Sequence, residues 1–474
     1  MKIISGRGVI LKMKKIKVAI IFIVLVFILS SSFVAAESLY KDISVIFNSV
    51  NLQVNGEDVE ATNFLYEGDT YAPVSEISEM LGKEISVDED TNTIGINEPQ
   101  PYTLDEDFML HGFYALKSYD QYSDFDRSRT LSSFDSISFG WSRIDKKDNE
   151  LKLLLSGEDS QDFYIPSGYN ETLDTAGRCN ILKQLMIYAD DLKEDYFNEI
   201  FERKEEMIDQ IMKVVDGEDS NFSMIEFSGV TIDFETVKKK DQIAFAQFLK
   251  LLKEKLGDKM LYVAVPSVNN YEHYLFKDIV LVADYMIMME HDFDDKKLQP
   301  GYIGENVVKT PLSPIIKIEE DIKTLISKVG QENADKILLQ LSFDTTQWGV
   351  KNGKLHTNSG DDDVIKPSTP RYVQIYDRIN KEVDEKNLKL NEIVYYDEEF
   401  ENPYMHYYND EDKIEYYIWY ENSRSVIEKI KLAQKYNLAG ISLWRIGTIP
   451  NYYGENGEVA GFDVWNKIND MISE

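Results

Sequence analysis

The sequence predicts an α/β protein: a (β/α)8 TIM barrel with a small α+β insertion between strands 7 and 8, preceded by a small N-terminal α+β domain. Three observations predict it. Strand-like apolar segments alternate with amphipathic helices from residue 105 to the end, as a barrel of βα units requires. The stretch from Phe343 to Ala439, between the seventh and eighth such segments, is too long for one helical crossover. Residues 44–96 carry hairpin and helix signals of their own, set off by a proline-bearing linker.

Each element follows from its local pattern. In the N-terminal domain, placed at 37–97, Val45-Ile46-Phe47 and Leu52-Gln53-Val54 are strand-like, and Asn55-Gly56 before Val59 is a hairpin signal. Tyr66 to Tyr71 repeats strand–turn–strand around Glu67-Gly68. Pro73 opens a helix whose Val74, Ile77, Met80 and Leu81 share one face, and Gly82 stops it. Ile85–Val87 and Thr93–Ile96 flank a further turn. Residues 98–104, with Pro99 and Pro101, form a stiff linker.

The barrel spans 105–474. Its strands are placed at Met109–Leu116, Ser136–Trp141, Gln184–Tyr188, Ile225–Phe234, Met260–Val265, Ala283–Met289, Ile337–Phe343 and Ala439–Trp444. Leu192, Tyr196, Phe197, Ile200 and Phe201 give one helical stripe. Ile243, Ala246, Leu249, Leu252 and Leu256 give another, closed by Gly257. Within the insertion, Ile393–Tyr396, Tyr404–Tyr408 and Tyr416–Trp419 read as short strands.

Composition narrows the function. Lys plus Arg number 51 against 84 Asp plus Glu, a formal net charge of −33. Phosphate backbones and anionic lipid repel such a chain, which argues against nucleic-acid partners. Cys179 is the one cysteine, so no intramolecular disulfide and no multi-cysteine zinc site can form. The five histidines make no HxxH or HxxxH pair. The run Asp292-Phe293-Asp294-Asp295 lacks the glycine and closing glutamate of a calcium loop, so neither metal nor cofactor is expected.

The amino terminus reads as an export signal. Six Lys and Arg residues precede an unbroken apolar run, Val18–Leu29, followed by small residues to Val34-Ala35-Ala36. That layout predicts a signal peptide over 1–36 cut before Glu37, with an uncleaved membrane anchor as the alternative. A secreted or envelope-associated monomer is the expectation.

The chemistry centres on Ser228-Gly229-Val230-Thr231-Ile232-Asp233-Phe234-Glu235. With a period of two, Thr231, Asp233 and Glu235 share one face while Val230, Ile232 and Phe234 share the other. In a barrel the apolar face packs on helices, and the first lines the interior at the strand end where active sites sit. Two inward carboxylates lose hydration and repel each other, and both effects raise a carboxyl pKa, as a general acid requires.

These residues bring a family into view. Residues 105–474 resemble glycoside hydrolase family 18, whose signature is DxxDxDxE. Asp233 and Glu235 match its last two positions, while Ser228 and Thr231 stand where aspartates are usual. Asp284 to Asp292 is similar to the sixth-strand segment ending Met-x-Tyr-Asp, with Met289 and Asp292 matching and His291 replacing the tyrosine. Ser138-Phe139-Gly140-Trp141 fits the second strand, and Gly440 to Arg445 fits the eighth with its tryptophan, Trp444. The nearest look is to the bacterial spore-cortex and germination hydrolases. The 44–96 module resembles the copper amine oxidase N-terminal-like stalk domain of exported bacterial proteins, without any histidine or cysteine to hold copper.

The resemblance implies a substrate-assisted, retaining cleavage of β-1,4 bonds in N-acetylglucosamine polymers, peptidoglycan first and chitin second. Glu235 is then the acid and later the base, and Asp233 orients the substrate acetamido group. Thr231, Met289, His291, Asp292 and Trp444 are the substrate-side residues it implies, Trp444 as an apolar floor. Tyr404, Tyr407, Tyr408 and Trp348 are further candidates for sugar stacking, and the stalk for attachment to wall polymer. The rival reading is a catalytically silent relative that binds glycan as a lectin or wall scaffold.

Overall fold

The computed structural model describes residues 43–473 apart from 49, 55–56, 60–61, 82, 89–90, 98–103, 105–106, 116–130, 159–161, 191–195, 220–224, 269–273, 295–297, 299–300, 302, 304–307, 357–364 and 453. The export signal, most of the linker and the Asn55-Gly56 turn lie outside the described residues. Two compact units divide the chain, residues 1–102 and 103–474. Among the described residues, no helix is long and apolar enough to cross a membrane.

The first unit is small and α+β. Strands β1 (Ile46–Phe47), β4 (Phe64–Tyr66) and β5 (Asp69–Tyr71) form one sheet, with Glu67 and Gly68 at positive φ between the last two. β2 (Leu52–Val54) pairs antiparallel with β3 (Glu57–Val59), and β6 (Glu84–Asp88) with β7 (Thr93–Asn97). Helix α1 (Val74–Met80) lies between β5 and β6. The predicted apolar face of α1 is only partly realised: Val74 and Leu81 are exposed, because a unit this small cannot cover them.

The second unit is a closed barrel of eight parallel strands. They are β8 (Met109–Tyr114), β9 (Ser136–Lys147), β11 (Leu182–Asp190), β12 (Gly229–Glu235), β13 (Met260–Pro266), β14 (Tyr285–Met289), β15 (Ile337–Ser342) and β21 (Gly440–Trp444). β8 pairs with both β9 and β21, which closes the ring. β10 (Glu150–Leu154) extends β9 as a hairpin through Asp148 and Asn149, both at positive φ.

Around the barrel run α2 (Tyr169–Arg178), α3 (Tyr196–Glu202), α4 (Lys204–Val215), α5 (Gln242–Leu256), α6 (Phe276–Val282) and α7 (Ile315–Val329). The outward face of β12 shows why these segments fold as they do. Phe234 packs among Phe197 at 5.4 Å, Phe245 at 5.8 Å and Phe248 at 5.6 Å, ring centre to ring centre. Burying each ring contributes about 1.5–3 kcal/mol. Phe245 and Phe248 thereby define the inner face of α5, and Ile243, expected there, is 61% exposed.

The insertion is a five-stranded antiparallel sheet in the order β17-β16-β20-β19-β18, with α8 (Tyr372–Asn380) beside it in sequence. β18 (Val394–Asp397), β19 (Asn402–Asn409) and β20 (Ile414–Trp419) are the expected strands, and β16 (Thr346–Lys351) and β17 (Lys354–His356) add two. The chain returns to the barrel through α9 (Ser423–Lys435), and α10 (Glu455–Val459) and α11 (Val464–Ser473) follow β21. Lys429 of α9 is fully buried, with Nζ 2.9 and 2.8 Å from the two Glu421 oxygens. Asn402 of β19 and Ser425 donate to the same carboxylate, tying the insertion to the helix layer. Trp348 lies in the insertion core with Nε1 donating to Thr310, and Tyr407 is buried too, so neither ring offers a free face to a sugar.

Candidate active site

The site is built where β11, β12, β14, β15 and β21 end. Along β12 the period of two sends Thr231, Asp233 and Glu235 inward, each with a register partner on β11: Met186, Tyr188 and Asp190. Thr231 lies deepest and is fully buried. Its hydroxyl is 2.5 Å from Ser138 Oγ, which is 2.8 Å from His111 Nε2, and His111 Nδ1 is 2.8 Å from Ser442 Oγ. This hydrogen-bonded chain links β21, β8, β9 and β12 across the barrel. Burial pushes His111 down to about 3, so the chain is uncharged at neutral pH. Thr231, expected at the substrate, is thus closed off from direct contact with a ligand.

Asp233 is 5% exposed, and its Oδ1 has no hydrogen-bond partner. Burial raises its carboxyl well above the usual range, and Glu235 raises it further while His291 opposes. Glu235 is half-buried at the strand end. Burial raises it as well; His291 works against that, Asp292 and Asp190 with it, and the Tyr188 phenol lowers it somewhat. Among the described residues no lysine or arginine pairs with Glu235, which separates it from a structural ion pair.

His291 and Asp292 follow β14. His291 Nε2 is 2.7 Å from Gln340 Oε1 of β15, which fixes Nε2 as the donor. Its Nδ1 lies 3.3 Å from Asp292 Oδ2, within ion-pair distance though outside hydrogen-bond geometry. Burial works against the charged imidazole, but Asp292, Gln340 and Asp344 together hold its proton affinity above the ordinary histidine value. Asp292 itself is exposed and sits at φ 65°. Met289 and Trp444 are half-buried against the apolar interior, and the Trp444 ring meets Phe113 edge-on at 5.3 Å. Arg445 stands 5.9 Å from the same ring.

Three residues of the site went unread in the sequence. Tyr188 OH donates to Asp190 Oδ2 at 3.2 Å, and Arg143 lies 3.4 Å from that oxygen and 5.2 Å from the Tyr188 ring. Arg143 and Asp190 fall beyond the predicted strand ends at Trp141 and Tyr188, whereas β9 and β11 run on to Lys147 and Asp190. Continuing the period of two along β11 puts Met186, Tyr188 and Asp190 on one face, and that signal was available.

A carboxylate pair on the fourth barrel strand, with a tryptophan closing the eighth, coincides with a match of residues 107–448 to "Glycosyl hydrolases family 18". The chain belongs to glycosyl hydrolase family 18. It carries that family's fold, a (β/α)8 barrel. Among its relatives, the cortical fragment-lytic enzyme of Bacillus anthracis is 24% identical over 226 residues, 46% of this chain and 46% of that protein. The chain spans about half the length of the curated relatives it matches first. Among solved structures, the spore cortex-lytic enzyme SleL of Bacillus cereus superposes with a TM-score of 0.57 at 15% identity, covering 80% of this chain and 77% of that one. A chitinase from Chromobacterium violaceum superposes with a TM-score of 0.54 at 17% identity, covering 77% of this chain and 99% of that one. At such identities the two structures speak to the fold of this family 18 chain alone.

Proposed function

We propose that this family 18 chain hydrolyses β-1,4 bonds of an N-acetylglucosamine-containing cell-wall glycan, peptidoglycan before chitin, by substrate-assisted retention. The observation that carries the reading is the pair Asp233 and Glu235, both pushed toward their protonated forms by burial, with no lysine or arginine paired to Glu235 among the described residues. A carboxyl that stays protonated near neutral pH can donate to a glycosidic oxygen. Glu235, at the open end of β12, is that acid and then the base toward water. Asp233, one step deeper, holds the acetamido N–H so that the substrate's own carbonyl oxygen attacks the anomeric carbon. His291 faces the same space and offers a hydrogen bond to the acetamido oxygen that orients it, with Asp292 at the sugar and Trp444 beneath it.

The cell-wall substrate is supported by the cortical fragment-lytic relative, and with a net charge of −33 any wall attachment must rest on specific contacts, since wall polymers are anionic too. Export through residues 1–36, and wall attachment through a stalk at 37–97, complete the proposal for the whole chain. The test is mass spectrometry of products from N-acetylglucosamine oligomers and purified peptidoglycan. The residue 37–474 protein should cleave, and Glu235→Gln should lose about 10²–10⁴-fold in turnover. Binding without cleavage by either protein would instead establish the lectin or scaffold reading.

A further inference from the structure

The least expected group in the barrel is Glu290. It follows β14 directly, between Met289 and His291. Alternation along the strand turns Met289 and His291 inward and Glu290 toward the helix layer. There its side chain is fully buried, and neither carboxylate oxygen has a hydrogen-bond partner. Asp321 of α7, 2% exposed, is the charged group set against it. Ser267, at the end of β13 and also buried, donates its hydroxyl to Asp321 Oδ2. Among the described residues, no lysine, arginine or histidine pairs with Glu290.

Elementary chemistry restricts what this cluster can be. An ionised carboxylate with no exposure and no donor is prohibitively costly, and two ionised ones in contact more so. One proton placed between them removes both costs. Ser267 already donates to Asp321, so Asp321 is the acceptor and Glu290 the carrier of the proton. We infer that Glu290 is a positioning residue which, as the neutral acid, hydrogen-bonds Asp321 and clamps the end of β14 to α7, so that His291 and Asp292 keep their orientation toward Glu235. Burial and Asp321 both raise Glu290 well above the usual carboxylate range, in keeping with the neutral form. The clamp acts through backbone: Glu290 touches no reacting atom, and its neighbours in sequence do.

The activity arm of the test rests on the proposed hydrolysis; the stability arm does not. The thermal midpoint of the wild-type protein should fall as pH rises from about 6 to 9, because the folded state holds a proton that the unfolded chain releases. Glu290→Gln, which carries the donor permanently, should flatten that slope. On N-acetylglucosamine oligomers, Glu290→Leu should lower kcat about tenfold with little change in KM, and Glu290→Gln should restore it. A wild-type slope that persists unchanged in Glu290→Gln would overturn the shared proton, as would a midpoint raised by added calcium or magnesium. A flattened slope with kcat equal in all three proteins would overturn the positioning role. Were no protein to cleave glycan, hydrolysis would fail as a reading while the slopes still decided the proton, and Glu290→Gln keeps the test open if Glu290→Leu does not fold.

Discussion

Asp292→Asn isolates one charge that raises the proton affinity of His291. Asp292 Oδ2 lies 3.3 Å from His291 Nδ1, and the Asp292 side chain is 54% exposed against 12% for His291. Two unit charges at that distance interact by about 5 kcal/mol at an effective dielectric of 20 and about 1.3 kcal/mol at 80. Exposure of the carboxylate places this pair toward the screened end of that range. The substitution should therefore lower the proton affinity of His291. Asp292 also raises Glu235, so its loss makes the acid release its proton earlier. A less protonated His291 works the other way on Glu235, so the imidazole titration is the decisive readout and the alkaline limb of kcat/KM reports the balance of the two. Proton NMR of the His291 ring, followed through pH, separates the two contributions. The stability sign is fixed too. His291 is raised in the folded state, so its contribution is complete below the unfolded value and is lost as pH rises through the folded one; Asp292→Asn shrinks it. An imidazole titration that stays in place, or moves upward, would refute the assigned role of Asp292.

Three further substitutions probe the surroundings. Tyr188→Phe removes a phenol that lowers Glu235, so the alkaline limb should move up, opposite to Asp292→Asn, in the same pH-rate measurement. Thr231→Asp places a third acid on the inward face of β12; its charge should raise Asp233 and Glu235 and shift the profile upward by about a unit, with a loss of thermal stability because the position is fully buried. Lys429→Met leaves Glu421 buried and uncompensated, and urea unfolding should show a loss of about 3–5 kcal/mol. Pairing it with Glu421→Leu should recover most of that loss.

The barrel was legible because each strand's pattern is strictly local. Val230, Ile232 and Phe234 must face something apolar, and they do so through Phe197, Phe245 and Phe248. The motif strand told its own inward residues for the same reason. What it could not tell was how deep each would lie: Thr231 is locked to Ser138, a partner 93 residues away in sequence, and only strand order brings them together. Ile243 misled because helical spacing alone admits two adjacent faces, and the rings of Phe245 and Phe248 chose between them. β16 and β17 carried a hairpin signal in Asn352-Gly353, both at positive φ, in a part of the insertion for which the sequence reading names no strand. Glu290 was invisible in kind: an acid between Met289 and His291 reads as solvated until α7 is laid over it.

Two of the three departures from the family's motifs act on the same quantity. Threonine at 231 removes a negative charge from beneath Asp233, and histidine at 291 adds a positive one beside it. Taken alone, both would make Glu235 a stronger acid and strip it of its proton too early for general-acid work. The structure counters this from other strands. Asp190, at the end of β11 in register with Glu235, and Asp292, beyond β14, both push Glu235 back toward its protonated form. Burial, the largest single cause, does the rest. Negative charge absent from the motif strand is thus supplied by its neighbours, and the uncharged His111 chain below leaves that balance undisturbed at any pH well above 3. The proton affinity of Glu235 is accordingly a property of three strands, and a variant at Asp190 or Asp292 should disturb catalysis through it, Asp190 although it lies outside the family's motifs.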